Sequence, residues 1–115
     1  VGWLEALGVA VELPEERIDA AMAVMSCAPA YVALFAEALA NAGVEEGLDP
    51  EVSAHVVRET FAGTAALLEK RDPEAVRRAV APPGGATEAG LDALAEHGVT
   101  DAIRAAVEAS LERFR

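Results

Sequence analysis

The stretch SCAPAYVALFAEALANAG, Ser26 to Gly43, decides how this chain folds. Between Ala28 and Asn41 its only polar interruptions are the Tyr31 hydroxyl and Glu37. Alanine, the strongest helix former, recurs throughout it. Pro29 suits a helix first turn, Ser26 or Cys27 precedes it as a cap, and Gly43 reads as the stop. A helix that is apolar nearly all round has to be buried on most sides. A chain of 115 residues has little protein with which to cover it. The sequence therefore predicts an all-α fold whose long helix is covered by a second copy, since two-fold dimers are the commonest assembly.

The flanking segments read the same way. LPEERIDAAMAVM places Pro14 at a helix start with Glu15 and Glu16 in the first turn, where acids suit the helix dipole. LDPEVSAHVVRETFAGTAALLEKRD opens with Asp49 as cap and Pro50 in the first turn. Val52, Val56, Thr60, Gly63 and Leu67 form one stripe on it, which Val57, Phe61, Thr64 and Leu68 widen. DPEAVRRAV repeats the Asp-Pro-Glu opening at Asp72. TEAGLDALAEHG reads as a helix ending at Gly98, and TDAIRAAVEASLERFR as a helix capped by Thr100 that buries Ile103, Val107, Leu111 and Phe114. No stretch alternates convincingly like a strand.

Length predicts one domain over residues 1–115. The composition is globular, and the formal charge of -11 offers no basic face for phosphate backbones or anionic lipid. No nucleic acid and no membrane are expected as partners. No stretch approaches the ~20 apolar residues of a membrane span. Cys27 is the single cysteine, so no internal disulfide is available; a reducing, cytoplasmic setting is the simplest expectation. Nothing resembles a signal peptide, and the first residue is Val1, so a piece of something larger is expected.

Most chemically suggestive residues have plainer readings. Cys27 stands near a helix start, which lowers a thiol's pKa, but no base lies nearby in sequence and a small buried residue is the simpler reading. His55 and Glu59 are spaced for one helix face, yet two ligands without a third make a poor metal site, and no metal is expected. His97 before Gly98 suits a helix C-terminus. Glu45-Glu46 reads as a solvated helix end, and EEGLDPE lacks the alternating oxygen ligands of a calcium loop. Tyr31 reads as a core aromatic with its hydroxyl at the edge.

The stretch APPGGATEAG, Ala81 to Gly90, is different. Gly84 and Gly85 allow backbone N–H groups to turn toward a ligand, and a helix start follows with its positive end. Thr87 adds a hydroxyl that donates and accepts. Two readings stand side by side: a shaped anion site, or a helix connector with Thr87 as cap.

VAPPGGATEAGLDAL resembles the signature of pyrroline-5-carboxylate reductases, in which small residues and Pro-Gly-Gly, a small residue and Thr lead into a helix. MSCAPAYVALFAEALANAGVEEGL resembles the same family's Ser-Gly-Ser-Gly-Pro-Ala-Tyr helix, and TFAGTAALL its Gly-containing third helix. The order and spacing of the three agree from about Leu13 onward. The resemblance implies an intertwined helical dimerisation domain of the 6-phosphogluconate-dehydrogenase C-terminal type. It implies a homodimer, with larger rings of dimers open, and a parent enzyme that reduces 1-pyrroline-5-carboxylate to L-proline with NADPH or NADH. The family's dinucleotide is held by an N-terminal Rossmann domain, and no Gly-x-Gly-x-x-Gly occurs in this sequence. No bound cofactor is therefore expected on this chain, and by itself it is expected to be inactive.

By the same resemblance, the substrate loop falls on Pro83, Gly84, Gly85, Ala86 and Thr87. The substrate carboxylate is expected at the backbone N–H groups and the Thr87 hydroxyl at the ring nitrogen, as the catalytic group. Ser26, Cys27 and Ala28 fall where the family approaches the cofactor. Ala81 and Pro82 replace hydroxyl residues of the family pattern, and SCAP replaces Gly-Ser-Gly-Pro. A non-catalytic helical dimerisation module, or a relative acting on a different cyclic imine, are the rival readings.

Overall fold

The computed structural model describes residues 2–6 and 9–114. The chain divides into two compact units, Val1–Ala33 with Gly98–Arg115, and Leu34–His97. Among the described residues six α-helices dominate, so the all-α expectation holds. One addition was not anticipated: β1 (Gly2–Ala6) pairs antiparallel with β2 (Val9–Leu13), with Gly2 opposite Leu13 and Ala6 opposite Val9. The valines of VAVEL favour extended backbone, a signal that the surrounding alanine-rich helices overshadowed.

In the first unit, a single 3-10 turn (Glu15–Arg17) follows Pro14 and leads into α1 (Ile18–Met22). The chain does not break before the next helix. A π-helical turn, Ala23–Cys27, joins α1 to α2 (Ala28–Glu45). Ser26 and Cys27 therefore cap nothing, which corrects the sequence reading. The cause is Pro29. In an α-helix its ring would clash with the carbonyl of Met25; the wider turn relaxes that clash without ending the helix. Ala23 is fully buried there. The helix α6 (Val99–Phe114) packs against α1 and the π turn. Tyr31 fixes it to α2: its hydroxyl hydrogen-bonds Ser110 Oγ and lies 3.4 Å from the Ala106 carbonyl. The expected Thr100 cap is absent. Gly98, at φ +76°, breaks the chain direction and α6 begins at Val99.

Continuity through Pro29 also corrects the reading that nothing approaches a membrane span. The helical run Glu15–Glu45, 31 residues, is long and apolar enough to cross a membrane by length and composition alone. Read as two helices, neither half reaches that length.

The second unit holds the end of α2, α3 (Pro50–Leu68), α4 (Pro73–Ala79) and α5 (Ala86–Glu96). Gly43 is not the stop of α2. Leu48 N–H bonds the Gly43 carbonyl at 3.0 Å and Gly47 N–H the Val44 carbonyl at 3.0 Å. With Gly47 at φ +106°, this pair of bonds is a Schellman ending. Asp49 and Asp72 cap as expected, accepting from Glu51 N–H at 3.1 Å and Ala75 N–H at 2.9 Å. His97 closes α5, its Nδ1 2.9 Å from the Ala93 carbonyl.

Gly43 serves close packing instead. Ser53 is buried, and its hydroxyl donates to the Ala40 carbonyl at 2.7 Å. A Cβ on Gly43 would collide with that oxygen. Helix propensity alone predicts that Gly43→Ala stabilises by about 1 kcal/mol. The collision predicts a net loss of about 1–2 kcal/mol instead. Urea unfolding reads the sign, and Ser53→Ala should recover part of the loss, because it removes the oxygen that is struck.

The chain buries little of its own apolar surface. Among the described residues, Ala23, Val57 and Val76 are its buried hydrophobic side chains. In α3 the buried face is Ser53 and Val57, while Val52, Val56 and Leu67 of the predicted stripe stay exposed. On α2, Leu34 is 63% and Phe35 46% exposed. On α6, Ile103 is exposed too, so that helix turns only part of its predicted face inward.

Candidate functional site

The turn before α5 is built by its own backbone. Gly85 N–H donates to the Pro82 carbonyl at 3.2 Å. Gly84 sits at φ +78°, where side chains are rarely tolerated. At Gly85 a Cβ would stand 3.3 Å from the Pro82 carbonyl oxygen, so this position is tight rather than twisted. The two glycines therefore have separate causes, one torsional and one steric.

Helix α5 then starts at Ala86 with Gly85 as its cap residue. Thr87 is the second helical residue, not the cap, which removes the connector reading's role for it. Its side chain is exposed, and among the described residues its hydroxyl makes no hydrogen bond. By helix geometry the N–H groups of Ala86 and Thr87 have no intrahelical acceptor. Pro83, Gly84, Gly85, Ala86 and Thr87 thus form one turn with free donors, a hydroxyl and the positive end of a helix.

One residue escaped the sequence reading. Glu88 is half-buried, and its Oε1 accepts the Gly84 N–H at 3.1 Å. The signal was present: an acid three residues after a helix cap is the spacing of a capping box.

Ser26, Cys27 and Ala28 lie in the other unit, on the π turn and the first residue of α2. Ser26 Oγ is 3.6 Å from Met22 Sδ, and Cys27 is half-buried. These residues offer no cradle for a dinucleotide pyrophosphate, which needs a glycine turn at a helix start. Glycine turns at helix starts among the described residues are Gly84–Gly85 before α5 and Gly98 before α6. His55 and Glu59 are exposed on α3, and no group of three metal-ligating side chains occurs among the described residues.

A second feature lies in the second unit. Phe35, Leu39, Thr60, Phe61 and Thr64 line an open apolar depression of about 180 Å³. Phe35 and Phe61 meet edge to face with centroids 6.2 Å apart. Thr60 donates its hydroxyl to the Val56 carbonyl at 2.8 Å, leaving its methyl group as the apolar part.

These elements define an all-α fold that leaves the apolar helix α2 uncovered and carries a glycine turn with free donors. The family model described as pyrroline-5-carboxylate reductase dimerisation matches residues 15–115. The pyrroline-5-carboxylate reductase of Thermus thermophilus is 41% identical over 107 residues, covering 93% of this chain and 41% of its own length. The reductase structure from Streptococcus pyogenes superposes with a TM-score of 0.84 at 31% identity, over 90% of this chain and 40% of that one. The Plasmodium falciparum pyrroline carboxylate reductase, solved with NADP bound, superposes with a TM-score of 0.82 at 36% identity over 90% and 40%. The chain belongs to the pyrroline-5-carboxylate reductase dimerisation family. It spans about two fifths of the length of the relatives it matches.

Proposed function

We propose that this chain is the dimer-forming, substrate-carboxylate-binding part of an NAD(P)H-dependent reductase that converts 1-pyrroline-5-carboxylate to L-proline. The observation that carries the reading is the uncovered apolar face of α2 inside a match to the family's dimerisation model. In a cytoplasmic homodimer that face is covered by the second copy, and the membrane-length run needs no bilayer. Residues 1–115 act as one dimerisation domain.

At the Pro83–Thr87 turn, the helix-start N–H groups of Ala86 and Thr87 receive the carboxylate of the ring. The Thr87 hydroxyl donates to the lone pair of the neutral ring nitrogen, and accepts from the N–H once that nitrogen is protonated. The carboxylate fixes which face of the ring is presented, because it is anchored at one end of a rigid helix. The chain's own residues bind and orient. The reduced dinucleotide supplies the hydride and is held by other residues.

The test joins the two halves. The purified chain mixed with NADPH and pyrroline-5-carboxylate is expected to leave nicotinamide absorbance unchanged. The same chain fused behind a dinucleotide-binding domain of the family is expected to oxidise NADPH in step with L-proline formation. Turnover by the unfused chain, or a folded fusion that binds NADPH and makes no proline, overturns the reading.

A further inference from the structure

Two turns of an α-helix take about seven residues, so a residue and the seventh after it share a face. Ala23 is fully buried in the π turn, and α6 packs against that turn. In an unbroken α-helix the position below Ala23 would be Ala30. Ala30 is exposed instead. The residue turned to α6 is Tyr31, one position further on, whose hydroxyl meets Ser110 Oγ and the Ala106 carbonyl. A π turn closes its hydrogen bonds over five residues where an α-helix uses four, so it holds one residue more.

We infer that the π turn Ala23–Cys27 is a register device: its one extra residue rotates the start of α2 so that Tyr31, and not Ala30, meets α6, and Pro29 holds that residue in place. One residue is worth about 100° of rotation. Ala30 has no group with which to bond Ser110, whereas Tyr31 ties α2 to α6. The turn does not relax to α-helix, because relaxation drives the Pro29 ring into the carbonyl four residues back. Ser26 is the exposed polar residue of the turn, with its hydroxyl on Met22 Sδ, and it is the residue whose removal disturbs least.

The full chain is compared with three variants at one chain concentration, by thermal unfolding followed by circular dichroism. In the first, Ser26 is deleted and Pro29→Ala is made, which removes the extra residue together with the ring that requires it. Tyr31 is then the seventh residue after Ala23 in a plain α-helix, still on the face of α6. This variant is expected to keep a Tm within about 5 °C of wild type. In the second, Ser26 is deleted and Pro29 is kept. The ring then meets the Val24 carbonyl, and the Tm is expected to fall by about 10 °C more. In the third, the exposed Glu108 of α6 is deleted. That helix is α-helical throughout and has no extra residue to give up, so Ser110 rotates away from Tyr31 and cooperative unfolding is expected to be lost. Tyr31→Phe, placed in wild type and in the first variant, reads the contact itself. It removes only the hydroxyl and is expected to lower the Tm by the same amount, about 5 °C, in both. A first variant as damaged as the Glu108 deletion overturns the inference, and so does indifference to Tyr31→Phe in either background. A second variant as stable as the first overturns the role given to Pro29. A Glu108 deletion tolerated as well as the first variant also overturns the inference, because helix phase would then carry no weight.

Discussion

Leu34→Asp is expected to abolish the dimer and to cost most of the chain's helical signal. The side chain is 63% exposed in the single chain. Were that face free in solution, the substitution would change stability by no more than about 0.5 kcal/mol. Buried under a second copy, an unpaired carboxylate costs several times more, about 3–5 kcal/mol. The exposed apolar side chains point to the second case: Val32, Leu34, Phe35 and Leu39 of α2 all stand exposed, and a contiguous apolar face of that kind marks an interface. Sedimentation at low micromolar concentration, with circular dichroism alongside, checks both halves of the expectation. A wild-type chain that sediments as a stable folded monomer, or a Leu34→Asp chain that still dimerises, overturns it.

Thr87→Val, made in the fusion that carries a dinucleotide-binding domain, is expected to lower kcat/KM by about 10²-fold. Its stability should stay within about 0.5 kcal/mol of wild type. Valine keeps the branched shape and close to the same helix propensity. Because Gly85 is the cap residue and Thr87 the second helical residue, no cap hydrogen bond is lost. A capping threonine would instead cost about 1 kcal/mol of stability and leave the kinetics alone. The two measurements thus separate the roles, and wild-type kinetics would remove Thr87 from the reacting atoms.

The helices were legible because alanine content, Asp-Pro openings and helical spacing are local signals. Asp49 and Asp72 cap where their side chains can reach an N–H two or three residues on, and a sequence records that directly. The family was legible for a related reason: the Pro-Gly-Gly-Ala-Thr turn combines a torsional need at Gly84 with a steric one at Gly85, and few sequences meet both. The tertiary structure alone decided the rest. Pro29 looks like a helix start in sequence, and only the wider turn at Ala23–Cys27 shows the helix passing through it. Gly43 looks like a stop, and only the approach of Ser53 from α3 shows what the missing side chain is for. Glu88 looks like a solvated acid, and only the engagement of Gly85 N–H by Pro82 sends its carboxylate to Gly84. In each case the deciding contact joins groups whose placement depends on how the backbone turns between them, and composition and spacing do not carry that information.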